Sequence, residues 1–196
     1  LDGLGWDQFE ARRSIAPTLA SLRGTRLTTV APSTTATALT SITTGLTPGE
    51  HGLVGYRMDV GGDVMNVLRW WMPSGDARRV VDPVRTQPFR PFLGETVPVV
   101  SRAGLEGTAF TAAHLRGSRP HGWHTASGLP VTVAQLIGAG ERFVYAYYDG
   151  IDKVAHACGF GEHYDAELAA AARMVADLLD RLPAGTALLV TADHGQ

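Results

Sequence analysis

The feature that most constrains the fold is the alternation of short apolar segments with segments of helical periodicity, a pattern typical of βαβ architectures. Residues 26–30 predict a strand, and a helix is predicted to follow over 35–44. The apolar stripe of 163–182 predicts the longest helix, and the apolar runs 142–148 and 186–191 predict strands. Together these patterns predict an α/β fold in which a mainly parallel sheet is flanked by helices.

The middle of the chain has a different pattern. Gly61-Gly62-Asp63 lies between two apolar segments, 54–60 and 64–70, and predicts a hairpin turn. Prolines interrupt the segment 70–92 repeatedly, so we expect it to be irregular. We interpret 54–92 as a Pro-rich insertion or cap. Shorter patterns predict a helix over 94–103, a strand over 107–112 and a helix over 130–137.

Composition excludes several classes of protein. The chain has 196 residues, of which 44% are hydrophobic, and this is enough apolar material for the core of one domain. Its 17 basic and 19 acidic residues give a formal net charge of −2, which argues against a nucleic-acid surface or a polybasic membrane surface. No apolar stretch reaches the roughly 18 residues that a transmembrane helix needs. Cys158 is the single cysteine, so no internal disulfide can form.

The two ends of the sequence are unusual for a complete domain. Asp2-Gly3 is a pair that usually follows a buried strand, but only Leu1 precedes it. The sequence ends at Gln196, soon after the apolar run 187–190. We therefore expect 1–196 to be an incomplete domain from a longer protein, with any targeting segment outside it.

Aspartates follow the predicted strands. Asp2 would end the strand that is missing, Asp149 and Asp152 follow the run 142–148, and Asp193 follows the last strand. Because ligands of open parallel sheets sit beyond the carboxyl ends of the strands, these side chains can converge on one crevice. Several carboxylates in one crevice repel each other strongly unless cations neutralise them.

Histidines accompany two of these aspartates. Asp152 and His156 are four residues apart, and Asp193 and His194 are adjacent. Carboxylate oxygen and imidazole nitrogen are typical zinc ligands, at about 2.0–2.2 Å from the metal. The alternative for each pair is a polar loop or a helix cap. With Asp2 nearby, we favour a metal site.

The sequence resembles the alkaline phosphatase superfamily, and within it the nucleotide pyrophosphatase/phosphodiesterase branch. The family's motifs occur in the family's order and extend over essentially the whole chain. They are Asp2-Gly3, Pro32-Ser33-Thr34-Thr35-Ala36-Thr37-Ala38, Thr44-Gly45-Leu46-Thr47-Pro48-Gly49-Glu50-His51-Gly52, Asp152-Lys153-Val154-Ala155-His156 and Thr191-Ala192-Asp193-His194-Gly195.

The resemblance implies two divalent metal ions, Zn²⁺ in the first place and Mn²⁺ as the alternative. One ion would be held by Asp2, Thr35, Asp193 and His194. The other would be held by Asp152, His156 and a second histidine that the family supplies after the Asp-His-Gly motif. That histidine has no counterpart before Gln196. The resemblance therefore implies that 1–196 is an incomplete catalytic domain of a longer protein and is inactive by itself.

The resemblance also implies the reaction. Thr35 would be the nucleophile, with its neighbour Thr34 as the competitor, and a helix N-cap is the alternative role for either. The implied activity is metal-dependent hydrolysis of a phosphate diester or pyrophosphate through a phospho-threonine intermediate. The substrate would be a small-molecule phosphate ester or a nucleotide-like compound.

Two departures from family patterns keep alternatives open. Ala38 stands where the phosphodiesterase branch commonly has an asparagine that contacts the phosphoryl group, so a phosphomonoesterase or phosphonate hydrolase of the same fold is an alternative. A non-catalytic metal-binding module is another. The Cys/Ser-x-Pro-x-Arg motif of sulfatases is absent, which disfavours that branch.

Three other positions carry expectations that a structure can test. His51 is expected to orient the loop after the nucleophile helix rather than to bind metal. His114 is expected to be a solvated loop residue. Trp70 is expected to pack within the cap, since aromatic clusters usually serve packing.

Overall fold

The computed structural model describes all residues from Leu1 to Gln196. Its helices are α1 (Trp6–Glu10), α2 (Pro17–Ser21), α3 (Thr35–Thr44), α4 (Pro48–His51), α5 (Pro83–Thr86), α6 (Ala109–His114), α7 (Gly128–Gly138), α8 (Gly150–Cys158) and α9 (Glu162–Arg181). Its strands are β1 (Arg57–Val60), β2 (Asp63–Asn66), β3 (Trp71–Met72), β4 (Gly75–Asp76), β5 (Pro98–Arg102), β6 (Arg119–Trp123) and β7 (Tyr145–Ala146). No helix combines the length and apolar character needed to cross a bilayer.

The chain divides into two compact units. The first comprises Leu1–Thr28, Pro98–Gly104 and Pro120–Gln196, and the second comprises Thr29–Val97 and Leu105–Arg119. The predicted organisation, an incomplete catalytic domain that includes a cap or insertion near 54–92, stays a prediction.

A small sheet with parallel pairing lies in the first unit. Its strand order is β6-β5-β7. The central strand, β5, pairs in parallel with β7, with Val99 opposite Tyr145 and Val100 opposite Ala146. Helix α7 packs against β5 and also against α9. The predicted α/β class, with parallel strands and helices, is therefore confirmed.

Helix α9 forms the centre of the first unit's core. It was predicted over 163–182 and is found over Glu162–Arg181. The helix packs against α2, α7 and α8. Full burial of each large aliphatic side chain stabilises the fold by about 1.5–3 kcal/mol. Leu179, which belongs to the predicted stripe, is exposed instead. The buried members of the stripe are Leu168, Ala171, Ala172, Val175 and Leu178.

Helix α3 of the second unit has the predicted bounds, 35–44. It ends because Gly45 adopts the left-handed conformation (φ 73°), in which a glycine has no Cβ to clash. Its buried threonines bond within the helix: Thr40 donates to the carbonyl of Ala36 (2.7 Å) and Thr44 to that of Thr40 (2.7 Å). These bonds satisfy hydroxyl groups that would otherwise be costly to bury.

The second unit also contains an antiparallel sheet with the strand order β1-β2-β3-β4. The predicted hairpin is confirmed, because Val60 pairs with Asp63 across a turn formed by Gly61 and Gly62. Trp70 is buried, and its indole N–H donates to the carbonyl of Val81 (2.8 Å), as expected of a packing residue.

Five sequence predictions differ from the structure. The helix predicted over 94–103 is wrong, because this segment contains strand β5, in which β-branched Val99 and Val100 pair with β7. The strand predicted over 107–112 is also wrong, because Thr108 caps helix α6 by accepting a hydrogen bond from the Thr111 amide (3.1 Å). Short apolar runs do not distinguish strand from helix by periodicity. The remaining three are the predicted strands 26–30 and 186–191, which form no β-ladder, and 142–148, in which only Tyr145–Ala146 is a strand.

Candidate metal centre

The N-terminal segment lies between two segments from the second half of the chain. The α-amino group of Leu1 donates to the carbonyl of Thr191 (2.9 Å), and the Asp2 amide donates to the carbonyl of Tyr148 (2.9 Å). The Gly3 amide then donates to Asp193 Oδ1 (3.1 Å). These bonds bring Asp2 and Asp193 together from opposite ends of the sequence.

Asp2, Asp193 and His194 form a buried cluster, which we call the Asp-His cluster. Their candidate ligand atoms all lie within 4.8 Å of one another. His194 Nε2 lies 3.3 Å from Asp2 Oδ1 and 3.7 Å from Asp193 Oδ2. All three residues are less than a tenth exposed. Three of the residues expected to bind metal are thus in one place.

The second predicted pair borders this cluster. Asp152 and His156 lie one turn apart on α8, with His156 Nε2 3.4 Å from Asp152 Oδ1. Asp152 Oδ1 is also 3.9 Å from His194 Nε2. The His156 side chain is 70% exposed, in contrast to the members of the cluster. The first unit therefore holds five of the six predicted ligand residues.

The donor atoms fit a zinc-like ion. Ligands at about 2.0–2.1 Å from a tetrahedral ion lie about 3.3–3.4 Å from each other. The distance from His194 Nε2 to Asp2 Oδ1 (3.3 Å) and that from His156 Nε2 to Asp152 Oδ1 (3.4 Å) both agree with this spacing. Carboxylate oxygen and imidazole nitrogen are also the donor types that zinc accepts.

The electrostatics of the cluster favour a cation. Burial, and then the charge of Asp2, raise the pKa of Asp193 to about 6. Burial alone would lower the pKa of His194, but its hydrogen bond to Asp2 and the charges of Asp193 and Asp2 raise that pKa to about 9. Burial opposes the ionisation of Asp2 as well, yet hydrogen bonds from His194 and Tyr147 keep its pKa below the usual value. Protons thus compensate an excess of negative charge, and a bound cation would displace them.

Thr35 lies in the second unit, at the first residue of α3. The preceding Thr34 occupies the N-cap position with extended backbone, but its side chain makes no capping hydrogen bond. Instead Thr34 Oγ1 lies 3.2 Å from Thr37 Oγ1. The first N–H groups of a helix have no acceptor within the helix and attract anions. Thr35 is therefore placed at the end of a ten-residue helix that favours a phosphate.

The whole chain, residues 1–196, matches the model of the family described as type I phosphodiesterase / nucleotide pyrophosphatase. The chain belongs to this family. The family is a member of the alkaline phosphatase superfamily, so the resemblance drawn from the motifs is confirmed. No curated protein matches the chain.

Membership of this family supports phosphodiester hydrolysis by an enzyme of the hydrolase class. The substrates that it implies are small-molecule phosphate esters or nucleotides. The family is generally metal-dependent, and the Asp-His cluster is a possible site for an ion.

Three features of the candidate metal centre were not predicted from the sequence. The Tyr147 hydroxyl donates a hydrogen bond to Asp2 Oδ2, whereas His194 Nε2 lies near the other oxygen, Asp2 Oδ1. Gln196 donates to Asp152 Oδ1 (2.5 Å). Gly3 adopts a positive φ (69°), and a Cβ at this position would lie 2.7 Å from Asp152 Oδ1. These contacts join residues that are far apart in the sequence. Only Gly3 carried a sequence signal, because it belongs to the Asp2-Gly3 motif.

Asp149 does not join the cluster, although it also follows a predicted strand. Its carboxylate accepts from Lys153 Nζ (2.5 Å) and from Arg102 Nε (3.2 Å). Asp149 immediately precedes α8, which carries Asp152. The pair with Arg102 therefore connects the start of this helix to β5, and both pairs neutralise a carboxylate next to the candidate metal centre.

The two other histidines of interest are structural. The Leu53 amide donates to His51 Nδ1 (3.2 Å), so the proton of the neutral ring is on Nε2, which donates to Ser41 Oγ (2.9 Å). This confirms the expected role of His51 in orienting the loop after α3. The expectation for His114 was wrong: this residue is buried on α6 and stacks on Phe110 at 4.0 Å.

Proposed function

We propose that the protein hydrolyses phosphate diester or pyrophosphate bonds in a metal-dependent reaction with a phospho-threonine intermediate. The observation that carries this proposal is the buried Asp-His cluster, whose donor types and spacing suit a zinc-like ion. Family membership over the whole chain supports the class of reaction.

The proposed ligands are those that the motifs imply. Asp2, Asp193 and His194 would hold one ion together with Thr35, and Asp152 and His156 would contribute to a second. Bound dications supply positive charge that lowers the pKa of a coordinated hydroxyl group and stabilises a departing oxygen. Zn²⁺ is the ion that these donors favour, with Mn²⁺ as the alternative.

Thr35 would act as the nucleophile. Its Oγ1 forms a bond to phosphorus as the bond between phosphorus and the leaving oxygen breaks, and the hydroxyl proton passes to solvent. A water molecule then attacks phosphorus, the bond to Thr35 Oγ1 breaks, and Thr35 regains a proton. The first-turn N–H groups of α3 and the helix dipole favour the phosphoryl group throughout.

A second candidate is phosphomonoester or phosphonate hydrolysis at the same site. Ala38 favours it, because this buried, apolar residue stands where diesterases of the family commonly have an asparagine that contacts the phosphoryl group. The rates on bis-p-nitrophenyl phosphate and p-nitrophenyl phosphate distinguish the two activities.

Paired substitutions in the protein expressed from its complete gene test the proposal. Thr35→Ala should abolish turnover while most of the bound zinc remains, and Thr34→Ala should retain activity. Mass spectrometry of protein quenched in acid should find phosphate on Thr35. Activity that survives in Thr35→Ala and disappears in Thr34→Ala would transfer the role to Thr34. Zinc binding with no turnover on either substrate would favour the non-catalytic module.

A further inference from the structure

A small cavity in the second unit is lined by two arginines. The cavity has a volume of about 40 Å³ and is lined by Arg90, Gly94, Glu95, Thr96, Arg116 and Gly117. We propose that this cavity binds a compact tetrahedral oxyanion of the phosphate class. The inference rests on residues outside the Asp-His cluster and does not depend on the proposed reaction.

The guanidinium group of Arg116 is held in place before any ligand binds. Its Nη1 donates to the backbone carbonyls of Gln87 (2.6 Å) and Ala113 (3.0 Å). Gln87 is itself fully buried, and its side chain donates to the Ala113 carbonyl (3.0 Å) and accepts from the Phe89 amide (2.6 Å). A fixed guanidinium binds an oxyanion more tightly because less side-chain freedom is lost.

Arg90 brings a second positive charge to the same cavity. Partial burial, and then the charge of Arg90, lower the pKa of Arg116, which indicates that the two groups repel each other. No carboxylate in the structure forms an ion pair with either arginine, although Glu95 lines the cavity. An oxyanion between the two would replace this repulsion by charge-assisted hydrogen bonds.

The loop that carries Arg90 is strained. Phe92 and Leu93 have positive φ values of 52° and 56°, and Gly94 follows with 88°. This left-handed conformation is unfavourable for a non-glycine residue. Leu93 is 94% exposed, so its own packing does not offset the cost. The turn brings the chain back on itself, since a Cβ at Gly94 would lie 3.9 Å from Arg90 Cδ. Strain of this kind is common at ligand sites.

The size of the cavity limits the ligand. About 10–15 Å³ of such volume holds one water molecule, so the cavity takes about three. This matches one phosphate group and excludes a nucleoside. The bound group is therefore either free inorganic phosphate or the terminal phosphate of an ester whose remainder projects into solvent.

Calorimetric titration of inorganic phosphate into chelator-treated protein tests the inference, because chelation removes any ion that would bind phosphate at the Asp-His cluster. We expect saturable binding at neutral pH and low ionic strength. Arg90→Gln should weaken it by about tenfold. Glu95→Gln should tighten it by about threefold, because a like charge is removed from the cavity. Arg85→Gln, which removes an exposed arginine outside the cavity in the same unit, should leave the affinity unchanged.

The opposite signs expected for Arg90→Gln and Glu95→Gln keep the test independent of any general loss of folding. A parallel titration with ethyl phosphate identifies the source: equal affinity assigns the site to esterified phosphate, and weaker binding assigns it to the free ion. The inference is wrong if the unsubstituted protein shows no saturation below about 10 mM phosphate. It is also wrong if Arg90→Gln binds as tightly as Arg85→Gln.

Discussion

Two buried histidines, one in each unit, have pKa values that are shifted in opposite directions. His194 is 8% exposed and His114 is 4% exposed. The pKa of His194 is raised to about 9, because carboxylates surround it and outweigh the effect of burial. The pKa of His114 is lowered to about 4, because burial dominates and its neighbours are the Phe110 ring and carbonyl. Burial alone therefore does not identify a functional histidine, whereas the charges beside it do.

The same contrast holds for the polar groups around each histidine. In the second unit, His51 is satisfied by Ser41 and by the Leu53 amide, and no net charge is left over. In the first unit, Asp2, Asp152 and Asp193 all lie near a single His194. The first arrangement stabilises a fold, whereas the second is stable only with added protons or cations.

The largest effect that should separate the two histidines is on metal binding. His194→Ala should weaken zinc binding by more than about 100-fold, because His194 is a proposed ligand and the loss of a ligand exceeds the 10–100-fold cost of losing an outer partner. His114→Gln should leave the affinity unchanged, since His114 has no carboxylate partner. Competition with a chromophoric chelator measures both constants. Equal zinc affinities in the two variants would show that His194 and His114 do not differ in metal binding.

Two glycines with similar backbone conformations test the contrast through packing. Gly3 in the first unit and Gly45 in the second have φ values of 69° and 73°. A Cβ at Gly3 would meet the Cβ of Asp152 at 2.8 Å and its Cα at 3.1 Å, whereas a Cβ at Gly45 has no atom within 4 Å. Gly3→Ala should therefore lower the free energy of unfolding by about 2–4 kcal/mol, from backbone strain and overpacking together.

Gly45→Ala is the control, with an expected loss of about 1–2 kcal/mol from the backbone alone. Urea denaturation of the metal-free proteins measures both values. The close approach of Gly3 to α8 would be refuted by equal losses in the two variants.

Tyr147, which donates a hydrogen bond to Asp2, should have a smaller effect on zinc affinity than His194. Tyr147→Phe removes the hydroxyl group that donates to Asp2 Oδ2 but keeps the ring. Loss of such an outer hydrogen bond typically weakens metal binding by about 10- to 100-fold. Tyr56→Phe is a matched control, because it removes a hydroxyl that accepts from Asn66 Nδ2 (2.7 Å) in the second unit. Zinc titrations in which both variants behave like the unsubstituted protein would deny Tyr147 a role in positioning Asp2.

The parts of the fold that were predictable from sequence depend on local signals. The bounds of α3 follow from its apolar pattern and from Gly45, and α9 follows from a long apolar stripe. Errors occurred where one short apolar run suits two structures: β5 was predicted as a helix and α6 as a strand. In these cases pairing with β7 and the cap of Thr108 decided the outcome.

The residues of the candidate site were also predictable only where they carry a local sequence signal. Asp2, Asp193 and His194 were identified because they belong to ordered motifs, and the structure brings them together. Tyr147 was missed because its role depends on where the N-terminal segment lies, and His114 was misplaced because the strand prediction hid a helix. Contacts between distant segments leave no periodic signal in a sequence.

The pH dependence of stability gives the most direct test of His114. In the unfolded chain this histidine takes up a proton near pH 6.5, but in the folded protein only near pH 4. Between these values the unfolded chain binds more protons than the folded protein. The contribution of His114 to the free energy of unfolding is therefore complete above pH 6.5 and is lost as the pH falls toward 4. From about pH 7.5 to about pH 5 the loss amounts to about 2 kcal/mol. His114→Gln should lack this part of the loss, and subtracting its urea-denaturation curve from that of the unsubstituted protein cancels the other titrating groups.

In metal-free protein, His194→Ala should differ in the opposite sense, because a raised pKa stabilises the folded state below pH 6.5 and the gain is lost as the pH rises through about 9. Differences of the same sign for the two histidines would mean that burial, rather than neighbouring charge, controls both.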